Sequence, residues 1–111
     1  MGQYRHIDED VLARMAIFGR EKYLRAGEVI FMAESEVESV VLVMEGTVKG
    51  MLVGESRSVF NVVHKGHVIG EANVVTGAPA SYTMITDSNC KLLYIPRFAY
   101  LSNAPVSPPL S

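Results

Sequence analysis

Apolar positions along this chain recur at two spacings. Near the N-terminus Val11, Leu12, Met15 and Ala16 follow a helical period. Asp8 or Asp10 can cap that helix, and Gly19 is a stop signal. Beyond it, turn signals arrive about every 8–12 residues, the rhythm of an all-β sandwich or barrel. "EKYLRAGEVIF" reads as two strands around Ala26-Gly27, and "SVVLVMEGTVKGMLV" as two strands around Glu45-Gly46. Val40 to Met44 is apolar at every position, so that strand is expected to be buried on both faces. "VGESRSVFNVVH" turns at Gly54-Glu55, and Lys65-Gly66 makes the next turn before a short strand at His67–Ile69. Ser81–Thr86 and Lys91–Ile95 form a last pair joined by "DSN". Pro96 can open a helical turn carrying Phe98, Tyr100 and Leu101. Residues 102–111 are a Pro/Ser-rich tail expected to be disordered or loosely draped. Eight or so short strands on one apolar core predict a mainly β fold, a jelly roll with short flanking helices.

The length of 111 residues suits one domain, and 49% apolar with 20% charged residues is a globular composition. The net charge of −2 argues against a broad electrostatic footprint for nucleic acid or anionic membrane. Cys90 is the single cysteine, which excludes an internal disulfide and any thiolate cluster for zinc or iron–sulfur. A lone thiol fits the cytoplasm. "MGQYRHIDED" has no apolar signal core, and no run reaches the length needed to span a membrane.

Candidate chemistry gathers in "VIGEANVVTGAPASYTM", residues 68–84. Gly70 lets the backbone approach a ligand, and Glu71 offers two acceptors for hydroxyl groups. The plain alternative is a tight bend beside a solvated glutamate. His64, His67 and Glu71 could hold a metal in the manner of a small cupin-type protein or enzyme. Two residues separate the histidines, however, one of them a turn glycine, and Lys65 adds repulsion. Turn histidines in water are the simpler reading, and no metal or other cofactor is assigned. Ser81, Tyr82 and Thr83 supply hydroxyls, but no His or Asp stands at a spacing that specifies a triad. No catalytic residue emerges, so the chain is read as a non-enzyme.

The order of helix, "LRAGEVIF", "SVVLVMEGTVKGML", "HKGHVIGEANVV", "PASYTMIT" and "CKLLYIPRFAYL" resembles the cyclic-nucleotide-binding-domain fold. It is most similar to the sensor domain of bacterial transcription regulators of the cyclic-AMP receptor protein and FNR family. The resemblance covers roughly Ile7 to Leu101, with residues 1–101 as the sensor domain, and rests on Gly27, Gly46, Gly66, Gly70 and Glu71 in order. It implies that Gly70–Thr83 is the phosphate-binding cassette, with Glu71 accepting from a ribose hydroxyl. Gly50, Phe60, Asn61, Gly70, Glu71, Ala72, Ala80 and Ser81 are the ligand-binding positions it implies.

One family feature is missing. Ala80 stands where the family's arginine pairs with the cyclic phosphate, and no Lys or Arg lies between Lys65 and Lys91. A cyclic phosphate stays charged at physiological pH, so burying it without a charge-assisted partner leaves its desolvation uncompensated. The expected ligand is a small-molecule effector of unknown identity, and cyclic AMP is not expected to bind in the usual way. The family also carries a dimerisation helix and a helix-turn-helix domain after the roll. Here "NAPVSPPLS" follows, so no direct DNA binding and no membrane partner are expected, and a homodimer is left open. The chain is then a sensor piece of a longer regulator, a shortened gene product or a stand-alone module.

Overall fold

The structure is a computed structural model that describes residues 9–51 and 59–103. Its elements run α1 (Glu9–Ala16), β1 (Arg20–Leu24), β2 (Val29–Phe31), β3 (Ser39–Glu45), β4 (Val48–Met51), β5 (Val59–Val63), β6 (Val68–Ile69), α2 (Glu71–Thr76), β7 (Thr83–Thr86), β8 (Cys90–Pro96) and α3 (Arg97–Asn103). The eight strands form two four-stranded antiparallel sheets in the orders β1-β8-β3-β6 and β2-β7-β4-β5. This is the expected mainly β jelly roll with short flanking helices.

The unbroken apolar run of β3 has a direct physical cause. Successive side chains of a strand point to opposite faces, and both faces of β3 are covered. Val40 and Leu42 pack with Met15 of α1 and Ala99 and Tyr100 of α3. Val41 and Val43 point the other way and pack with Val48 and Met84 of the second sheet. β8 repeats the pattern, with Leu93 and Ile95 toward the helices and Cys90 and Leu92 toward the roll interior. The first sheet is therefore the middle of three layers. Burying each Val or Leu in this way stabilises the fold by about 1.5–3 kcal/mol relative to exposure.

The strands pair differently from the chain order that their turns suggest. β1 and β2 belong to different sheets, as do β3 and β4. β7 and β8 were expected as a pair joined by "DSN", yet β7 lies between β2 and β4 while β8 lies between β1 and β3. The turns are corners between layers, not hairpins. The Thr86 hydroxyl, fully buried, donates to Arg25 O at 2.6 Å and accepts from Glu28 N at 2.9 Å. It ties the β1–β2 corner to the β7–β8 corner. At the β3–β4 corner Gly46 has φ +90, and a Cβ there would lie 2.4 Å from Asn89 O, so only glycine fits. β4 and β5 do pair, and the turn expected at Gly54-Glu55 lies outside the described residues. Ser102 and Asn103, expected in the tail, belong to α3, where their side chains bond Phe98 O and Ala99 O. The rest of that tail lies outside the described residues.

Candidate functional site

The segment after β6 is built from two left-handed glycines around a short helix. Gly70 enters α2 at φ +86 and Gly77 leaves it at φ +82, with the Gly77 N–H donating to Asn73 O at 2.7 Å. A side chain at position 70 would also press on Val37 Cγ1 at 3.0 Å and Ser39 O at 3.3 Å. The Asn73 amide then reaches forward, donating to Ala78 O at 3.2 Å and Pro79 O at 2.9 Å. The Thr76 hydroxyl accepts from Ala78 N at 3.1 Å. One asparagine and one threonine thus fold the "TGAP" stretch back onto α2.

The far side of the loop is clamped to the β2–β3 connection. Ala80 N donates to Ser35 O at 2.9 Å, Glu34 N donates to Ala80 O at 2.7 Å, and Ala33 N donates to Thr83 Oγ1 at 3.0 Å. Glu34 holds φ +68, the left-handed region that suits glycine. The clamp therefore carries backbone strain at a non-glycine residue.

Between this loop and the roll lies a cavity of about 50 Å³, lined by Phe31, Gly70, Asn73, Ser81, Tyr82 and Met84 among others. None of its lining residues is Lys or Arg. Of the expected positions, Gly70 and Ser81 line it. Gly50 sits in β4 opposite both Met84 and Asn61, so its strand is adjacent. Asn61 and Phe60 lie on β5, and their side chains are outside the description. Ala72 is exposed on α2. Ala80 is not on the cavity wall. It is 3% exposed and packs in the helix-side core with Val37, Leu42 and Val74.

Glu71 is also directed elsewhere. Its Oε2 accepts a hydrogen bond from the hydroxyl of Tyr100 on α3, and Tyr100 is buried. His64 is exposed, and among the described residues no group of three His, Cys, Asp or Glu is placed to hold a metal. Sequence reasoning passed over Phe31, Asn73 and Met84, and read Tyr82 only as a source of a hydroxyl. Asn73 carried a usable signal, an amide residue just ahead of a Gly/Pro turn whose carbonyls it can bond. Phe31 and Met84 read only as apolar strand residues, and nothing local marks which face of the core borders a cavity.

The structure is a two-sheet roll in which a glycine-flanked short helix packs beside the strand ends. The family description "Cyclic nucleotide-binding domain" matches residues 21–102, and the chain belongs to that family. It is 25% identical over 97 residues to the potassium channel KOR2 of rice (Oryza sativa subsp. japonica), covering 86% of this chain and 14% of the channel. Among solved structures it is similar to a putative cAMP-binding regulatory protein from Silicibacter pomeroyi DSS-3, with a TM-score of 0.78 and 22% identity over 86% of this chain and 44% of that one. The sensor domain of the transcriptional regulator DNR from Pseudomonas aeruginosa gives a TM-score of 0.76 at 16% identity, covering 87% of this chain and 67% of that one. The chain therefore spans a small part of the channel and less than half of the Silicibacter protein. No helix among the described residues is long and apolar enough to cross a membrane.

Proposed function

We propose that this domain is the effector-sensing module of a transcription regulator of the cyclic-AMP receptor protein and FNR type. It acts in the cytoplasm without catalysing a reaction, and its effector is not cyclic AMP bound in the usual way. Membership of the cyclic nucleotide-binding family supports the sensing role, and the cassette cavity is the observation that sets cyclic AMP aside. It has the family's Gly70 turn and Ser81, but no cation on its wall, a buried Ala80 at the arginine position, and a volume of about 50 Å³. That space suits a few waters, whereas small-molecule pockets commonly run to about 300–1,000 Å³. The likeness to the sensor domain of a transcriptional regulator supports the regulator assignment. On this reading, DNA contact and dimerisation belong to the regulator as a whole.

Loss of a charge-assisted phosphate pair weakens binding by about 2–5 kcal/mol, roughly 30- to 3000-fold. Calorimetry with cyclic AMP and cyclic GMP tests the reading. The natural sequence is expected to bind both in the high micromolar range or worse. Ala80→Arg would put a guanidinium into the helix-side core and not onto the cavity wall, so it is expected to destabilise the fold without restoring binding. Low-micromolar binding by the unaltered chain would show that the phosphate finds another partner and would overturn the assignment.

A further inference from the structure

A second pocket, a groove of about 280 Å³ open to solvent, shares Phe31 with the first and is lined by none of the cassette's expected positions. Its wall is apolar where Val41, Phe31 and the Tyr94 ring line it, and charged where Lys22 of β1 and Glu36 and Glu38 of the β2–β3 connection line it. The Lys22 ammonium stands 4.5 Å from the Tyr94 ring centroid, a cation held over an aromatic face. Lys22, Glu36 and Glu38 are all exposed at the rim of this groove, and none forms an ion pair with another described residue. Charges of both signs thus line one cavity without meeting across it.

From this arrangement we infer that the cavity is a binding site for a small zwitterion, an α-amino acid with an apolar side chain. The ligand's carboxylate meets Lys22, its ammonium meets Glu36 and Glu38, and its side chain lies against Phe31, Val41 and Tyr94. Size agrees with this class. An apolar cavity of roughly 150 Å³ holds benzene, so the larger cavity has room for a ring together with an ammonium and a carboxylate. Two carboxylates facing one lysine also disfavour a simple anion, which would meet more repulsion than attraction. This site stands whether or not the cassette binds an effector.

The test is a heteronuclear NMR titration with L-phenylalanine, phenethylamine and 3-phenylpropionate, which carry both charges, the ammonium alone and the carboxylate alone. L-Phenylalanine is expected to saturate at low millimolar concentration or below, shifting amides around Lys22, Glu36 and Tyr94, with each single-charge compound at least about tenfold weaker. Lys22→Met should weaken L-phenylalanine by at least about tenfold while phenethylamine, relieved of a like charge, binds no more weakly than before, a pattern that loss of folding cannot imitate. Glu36→Gln with Glu38→Gln should do the converse, weakening L-phenylalanine while 3-phenylpropionate binds no more weakly than before. Three outcomes would each overturn the site. They are no saturable shift up to about 20 mM L-phenylalanine, equal affinities for the three compounds, or shifts confined to residues 70–84.

Discussion

The hydroxyl of Tyr100 donates a hydrogen bond to Oε2 of Glu71, joining α3 to the first residue of α2 across 29 positions of sequence. The glutamate expected to receive a ligand hydroxyl is therefore engaged by the protein itself. Any ligand that takes this oxygen must compete with a phenol held in the core. Hydrogen bonds to charged groups contribute about 1.5–3 kcal/mol, less where water can replace the donor. Tyr100→Phe keeps the ring packed and removes only the donor, so it should destabilise the domain by about 1–2 kcal/mol. The urea unfolding midpoint checks this, and an unchanged midpoint would mean that water serves Glu71 equally well.

Glu34→Gly should make the domain more stable. Glu34 sits at φ +68, where a side-chain-bearing residue is strained by about 1–2 kcal/mol. Glycine removes that strain but loses more chain entropy on folding, by roughly 0.5–1 kcal/mol. The net gain should be about 0.5–1 kcal/mol. Thermal unfolding of the two proteins would reveal it as a raised midpoint, and a lowered midpoint would show that the glutamate side chain earns its place by other contacts.

Gly70→Ala should do the reverse and disturb the cassette. The left-handed backbone at φ +86 and the close approach of Val37 Cγ1 act together. A loss of about 2–3 kcal/mol is expected, with amide exchange of Val74 and Gly77 rising more than that of β3. Uniform protection across both segments would contradict a local role for the turn.

Tyr94 should make stability fall in alkali. Burial, with a smaller effect from the nearby Glu28 charge, holds its phenol above the ordinary value of 10.0. The folded form therefore keeps its proton at pH values where the unfolded chain has released it. That contribution is complete below pH 10.0 and is lost as pH rises through the higher folded value. Tyr94→Phe should flatten this part of the alkaline decline, measured as unfolding free energy against pH. An identical slope in both proteins would show that other groups govern it.

Much of the architecture was legible because it follows from short-range rules. A helical period at Val11–Ala16, turn glycines at Gly27, Gly46 and Gly66, and the doubly buried run of β3 each depend on a few neighbouring residues. The absence of Lys and Arg from residues 66–90 was equally plain. Those local signals, with the ordered glycines, carried the family and marked the stretch where the cassette is expected.

The pairing of strands and the wall of the cavity depended on contacts between distant parts of the chain. Turns that look like hairpins become corners because β7 and β8 take their partners in separate sheets, tied by links such as Thr86 to Arg25 across 61 positions. Ala80 reads as a vacancy beside a ligand, yet Ser35 and Glu34 hold its backbone so that the methyl group enters the core. Glu71 reads as an open acceptor, yet α3 brings Tyr100 to it. Local sequence sets the preference of each segment for helix, strand or turn. Which face meets a cavity, a core or another residue's hydroxyl is decided only when the layers close, because burial couples every segment's orientation to its neighbours.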